Sequence, residues 1–267
     1  MNAAFFDLDK TVIAKASIAA FGRPFRRGGL INRRTVVRAV AGQLVYRQLG
    51  ADEHRMAKVR ETMLALTRGW EAERVRTIVH DTLLKTMEPL IYAEALELME
   101  THRAAGDRIY LVSAAPAEIV QPMAELLGVD GLISSQAEVD ADGCYTGRMA
   151  FYADGSHKAE AMGELAARGG IDLAASSAYS DSINDLPMLE AVGHPVAVNA
   201  DRSLARLARA RGWEARQFQS PVRVRDRVPN TPTVTTSLAL AGAVVLIGWY
   251  GKRARLAALR SGSPVAA

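Results

Sequence analysis

From Tyr92 to Arg211, short apolar runs alternate with helix-length segments whose apolar residues recur at three- and four-residue steps. Helices are predicted over Tyr92–Ala105, Pro116–Leu127, His157–Arg168 and Ile183–Ala191. Strands are predicted over Arg108–Ser113, Gly131–Ser134, Ser176–Ser180 and Pro195–Asn199. Asp201 is placed to cap one more helix, which runs through Arg211. Gln136–Val139 and Tyr145–Phe151 flank Asp140-Ala141-Asp142-Gly143, whose Asp-Gly pair favours a hairpin. A further buried strand, Ala3–Leu8, opens the chain. Strand–helix alternation of this kind predicts an α/β protein, a doubly wound parallel (Rossmann-like) sheet with helices on both faces.

The alternation is interrupted once. Residues 12–87 lack strand signals, and Thr35–Leu49, Asp52–Thr67 and Glu71–Thr86 carry helical periodicity, punctuated at Gly50 and Gly69. They read as an all-helical cap insertion after the first strand, leaving 1–11 and 88–220 as the catalytic core. Between Lys10 and Ala51 there are nine basic residues and no acid. That run is either a solvated helical face or a surface attracting phosphorylated substrates or anionic lipid headgroups. Phe21, Phe25, Leu30 and Ile31 among the arginines suit a membrane surface better than a nucleic-acid groove, and no nucleic-acid motif accompanies them. Residues 221–267 form a basic linker and an apolar tail, with no formal charge from Val228 to Gly251 and Trp249-Tyr250 near its end. Residues 233–251 are a candidate membrane anchor, with a core or partner-docking helix as the alternative. The single cysteine, Cys144, allows no intrachain disulfide, and the first 30 residues lack a signal-peptide layout, so a cytoplasmic catalytic domain is expected.

Phe5-Phe6-Asp7-Leu8-Asp9-Lys10-Thr11 delivers two carboxylates where the first strand gives way to a loop. The carboxyl ends of strands are where open α/β sheets bind ligands. Two acids so close repel each other unless a cation intervenes, and hard cations such as magnesium take oxygen ligands. Three more segments fall at the ends of predicted strands or at a helix start: Ser113, Lys158, and Ser180-Asp181-Ser182-Ile183-Asn184-Asp185. In this order the four segments resemble the haloacid dehalogenase superfamily of phosphotransferases, over residues 1 to about 200. The helical insert resembles that of the subclass containing phosphoserine phosphatase.

The resemblance implies a role for each residue. Asp7 is similar to the family nucleophile, a carboxylate that attacks phosphorus to form an acyl phosphate. Asp9 would protonate the leaving alcohol and then take a proton from water, and its main-chain carbonyl is a metal ligand in the family. Asp181 completes a magnesium site with Asp7 and Asp9, and Asp185 holds that site from beside or behind. Ser113 would donate to a phosphoryl oxygen, and Lys158 would steady the negative charge shared by Asp7 and the transferring group. Asn184 resembles a substrate- or phosphate-side amide, and Thr11 braces the Asp7 loop. The five histidines are scattered without ligand spacing, and His157 alone is expected near the site.

Phosphoserine phosphatases carry a glutamate nine residues after the nucleophile, facing the substrate ammonium; here that position is Ala16. The expected activity is magnesium-dependent hydrolysis of a small or lipid-linked phosphomonoester. Phosphoserine hydrolysis, phosphoryl transfer to another acceptor as in a mutase, and a non-catalytic membrane-tethered binding module are the alternatives.

Overall fold

A computed structural model describes residues 1–31 and 64–219. The expected helix Thr35–Leu49, most of Asp52–Thr67, and the apolar segment 233–251 lie outside the described residues. Among the described residues no helix is long and apolar enough to cross a membrane.

The strands are β1 (Ala3–Phe6), β2 (Arg108–Pro116), β3 (Gly131–Val139), β4 (Tyr145–Phe151), β5 (Ser177–Ser180), β6 (His194–Val198) and β7 (Glu214–Arg216). They form one sheet in the order β4-β3-β2-β1-β5-β6-β7. Only the β3–β4 pair is antiparallel. The described helices are α1 (Ser17–Ala20), α2 (Gly22–Arg27), α3 (Ala72–Met87), α4 (Ala93–Ala105), α5 (Ala117–Leu127), α6 (Ser156–Gly169), α7 (Leu186–Glu190) and α8 (Arg202–Arg211).

β1 explains the layering. All four of its residues are buried, and successive side chains point to opposite faces. Ala4 and Phe6 join one apolar cluster, where α3, α4 and α5 contribute Val79, Met99 and Ile119. Ala3 and Phe5 join the other, where α6, α7 and α8 contribute Met162, Leu189 and Leu204. Phe6 stacks on Tyr179 with ring centroids 4.4 Å apart, and Phe5 stacks on Tyr110 at 5.4 Å. A strand buried on both faces and covered by helices is the expected doubly wound arrangement.

The chain leaves and rejoins the core beside β1. Ala14 donates its amide to the Leu90 carbonyl at 2.8 Å, and Tyr92 donates to the Val12 carbonyl at 2.9 Å. The insert also meets the core at β4, where Gly69 donates to Tyr145 and Tyr145 donates to Trp70, each at 2.9 Å. α3 then packs its Val75, Val79, Leu83 and Met87 face into the core cluster with α5.

Several element boundaries differ from the sequence pattern. β2 continues three residues past Ser113, and β3 merges two expected strands. The expected helix Ile183–Ala191 is a 3₁₀ turn, Ile183–Asp185, followed by the short α7. Pro187 lacks the N–H that a continuous helix would use there, which suits it to the first turn of α7 instead. β7 carries no apolar alternation and has no counterpart in the sequence pattern. Asp201 caps α8 as expected, accepting from Ser203 and Leu204 amides at 2.8 and 2.9 Å. Between β5 and β6 the chain passes so close to itself that a Cβ on Gly193 would lie 1.8 Å from the Ala174 carbonyl oxygen.

Candidate active site

Strand register brings the separated motifs together toward the carboxyl ends of the central strands. Phe6 is paired with Leu111 of β2 and with Tyr179 of β5, and Asp7 donates its amide to the Tyr179 carbonyl at 2.9 Å. Neighbouring strands lie about 4.8 Å apart. Asp7 and Asp181 therefore follow β1 and β5 directly, and Ser113 lies beside them within β2, near its carboxyl end.

Lys158 comes from the first turn of α6, which the chain enters through Gly155 at a φ of 54°. Its Nζ lies 2.6 Å from Asp7 Oδ1 and 2.8 Å from Asp185 Oδ1. Ser180 donates its hydroxyl to Asp185 Oδ2 at 2.6 Å, so both oxygens of Asp185 are engaged by protein donors. All four residues are buried. Burial by itself would lower the pKa of Lys158. The Asp7 and Asp185 carboxylates outweigh it and hold the lysine well above its ordinary value, so it stays an ammonium. Burial also pushes the Asp7 acid up, with Lys158 opposing and Asp185 and Asp9 adding to the rise.

Asp9 is half-buried, and its Oδ1 accepts the Ser17 amide at 2.8 Å. Burial raises its pKa, against the stabilising bonds from Ser17. Asp181 is raised by burial too, opposed first by Lys10, whose Nζ lies 3.2 Å from Asp181 Oδ2. Ser113 is buried and its Oγ accepts the Ala115 amide at 3.1 Å. Thr11 is fully buried, and its hydroxyl has no hydrogen-bond partner among the described residues. Asn184 is exposed at the rim, on the 3₁₀ turn after Asp181. His157 is exposed and lines a recess of about 320 Å³ with Ser134, Gln136 and Glu160, a recess whose lining includes none of Asp7, Asp9, Asp181 and Asp185. Among the described residues no three His, Cys, Asp or Glu side chains converge to hold an ion by themselves.

Ser17, Ser180 and the Lys10–Asp181 pair carry no role in the sequence pattern. Ser180 and Lys10 stand next to motif acids, which is the signal that was available. The Ser17 contact runs through a backbone amide, which no residue type announces.

A haloacid dehalogenase-like hydrolase family model matches residues 4–190, and the chain belongs to that family. A Streptomyces azureus protein named for inhibition of morphological differentiation is 47% identical over 95% of this chain and 94% of its own. A probable phosphatase of Mycobacterium tuberculosis is 45% identical over 91% of this chain and 87% of its own. The crystal structure of a Bordetella pertussis Tohama I protein of unknown function superposes with a TM-score of 0.69 at 29% identity, covering 80% of this chain and 97% of that one. Within the family, this chain is an enzyme of the phosphatase kind.

Proposed function

We propose that the protein is a magnesium-dependent phosphomonoester hydrolase that works through an aspartyl-phosphate on Asp7. The observation that carries this reading is the 2.6 Å contact between Lys158 Nζ and Asp7 Oδ1, buried at the end of the central strand beside Asp181. An Asp7 oxygen attacks phosphorus while the bond to the leaving oxygen breaks, and Asp9 gives that oxygen its proton. A water molecule then attacks the phosphorus of the acyl phosphate and passes a proton to Asp9, which releases inorganic phosphate and restores both acids. Lys158 holds positive charge against Asp7 and the transferring group throughout. Asp185, tied to Lys158 and Ser180, fixes where that charge sits. Ser113 and Asn184 serve the phosphate and substrate side, and Thr11 braces the loop from within.

The donor set fits magnesium. The ion usually takes one or two carboxylates and fills the rest of its sphere with phosphate oxygens and water. Asp7 and Asp181 are two buried acids, raised by burial and so in need of positive charge. They would hold the ion together with the main-chain carbonyl of Asp9. When bound, it offsets the repulsion between a phosphate dianion and Asp7.

Substrate choice belongs to the insert over 12–87. Ala16 offers no charge to a substrate ammonium, and the basic run that follows favours an anionic or lipid-linked phosphomonoester over phosphoserine. Lysophosphatidate and glycerophospholipid headgroup phosphates are examples, and the apolar stretch at 233–251 accords with them. Phosphate release from a panel of phosphomonoesters tests this ordering, and a clear preference for phosphoserine would reject it. Asp7→Asn is expected to abolish turnover while leaving the circular dichroism spectrum intact; full activity in that variant would sink the mechanism. Release of phosphate without an added acceptor separates hydrolysis from a mutase.

A further inference from the structure

Lys10 stands between Asp9 and Thr11 with a φ of 63°, a left-handed conformation that is strained for a residue with a Cβ. Asn199, itself left-handed at 48°, donates its side-chain amide to the Lys10 carbonyl at 3.4 Å. Asn199 is in turn fastened by its own amide to the Arg216 carbonyl at 3.0 Å, and its Oδ1 accepts the Phe218 amide at 2.9 Å. Two separate segments, Asn199 and behind it residues 216–218, thus support a turn that a freer chain would avoid. That turn directs the lysine over the acids: Nζ lies 3.2 Å from Asp181 Oδ2, with Asp9 and Asp7 near enough to add to the attraction. The partners differ in freedom. The Asp181 side chain is 8% exposed, whereas that of Lys10 is 62% exposed and has an open path to solvent.

We propose that Lys10 is a tethered cation that competes with the divalent ion for Asp181 and thereby sets how tightly the ion binds. This rests on the reading of Asp181 as an ion ligand given above. An ammonium and a dication exclude each other at one carboxylate oxygen, by charge and by space. Loading the site requires Lys10 to release Asp181 and swing outward, which its exposure permits. Until then the lysine keeps a buried acid compensated.

The test is manganese binding to the full chain, followed by electron paramagnetic resonance without substrate or phosphate. Lys10→Gln is expected to bind Mn²⁺ about fivefold more tightly than wild type. That factor is about 1 kcal/mol, the upper end for a pair with one exposed partner. Lys10→Arg, which can keep the pair, should retain the wild-type affinity. Unchanged or weaker binding by Lys10→Gln would overturn the inference. Asp181→Asn separates the two levels of the argument. If it leaves Mn²⁺ affinity intact, Asp181 is no ligand and both readings fall. If it weakens binding while Lys10→Gln changes nothing, the role of Lys10 alone is lost.

Discussion

Replacing Lys158 by Met exposes how much of the site's stability depends on one ammonium. The side chain is 2% exposed and touches two carboxylates that are 8% and 5% exposed. Methionine has similar length and packs in apolar surroundings, so the variant removes charge more than volume. It leaves Asp7 and Asp185 facing each other in a buried place without their shared counter-charge. Removing one partner of a buried ion pair costs about 3–5 kcal/mol, because the remaining charge is uncompensated. For a domain of this size each kcal/mol moves the melting temperature by about 2–4 °C, so a fall of about 6–20 °C is expected. Urea denaturation at neutral pH without divalent ions measures the free energy directly. The double variant Lys158→Met/Asp185→Asn should recover part of the loss, since it also removes one of the two stranded acids. Phosphatase activity should be lost in both. A loss of under about 1 kcal/mol in the single variant, or strict additivity in the double, would refute the claim that Lys158 is the counter-charge of both acids.

Gly193→Ala should destabilise the fold at the upper end of the about 1–3 kcal/mol range for overpacking, because backbone rather than a flexible side chain stands 1.8 Å from the new Cβ. A thermal melt unchanged from wild type would show that the loop yields freely. The acids make a separate prediction about pH. Burial raises Asp9 and Asp181 above their ordinary values, so the folded state holds protons that the unfolded chain has already released. Their stabilising contribution is therefore complete at low pH and is lost as pH rises through the raised folded-state values. Without divalent ions, the urea midpoint should fall over that window, and saturating magnesium should flatten the slope. A midpoint that climbs through the window in apo protein would reverse the assignment.

The sheet was legible because its central strands are short apolar runs buried on both faces, as in Ala3-Ala4-Phe5-Phe6. β7 escaped notice for the opposite reason. Glu214-Ala215-Arg216 is an edge strand of three residues, two of them charged, held by register with β6 rather than by any pattern of its own. The break at Asp185–Leu186 needed the proline at 187 to be weighed against the periodicity around it. At the site, Asp7, Lys158 and Asp181 stood out because each follows a strand or opens a helix in a fixed order. Their partners did not. That Asp185 would spend both oxygens on Lys158 and Ser180 depends on the path of the chain after β5, which residue types alone leave open. The Ser17 amide reaching Asp9 is likewise a product of tertiary placement.

The backbone bonds joining 12–14 to 90–92 mean that the excursion begins and ends at neighbouring points. A segment inserted there can be lengthened, shortened or exchanged without shifting β1 against β2. α3 is one exception, because its apolar face is already committed to the interior, and the start of the insert is another, since the Ser17 amide holds Asp9 and Phe21 is buried in the same cluster. The interchangeable stretch therefore lies after Leu30 and before Gly69, and its sequence can change while the acids stay where β1 puts them.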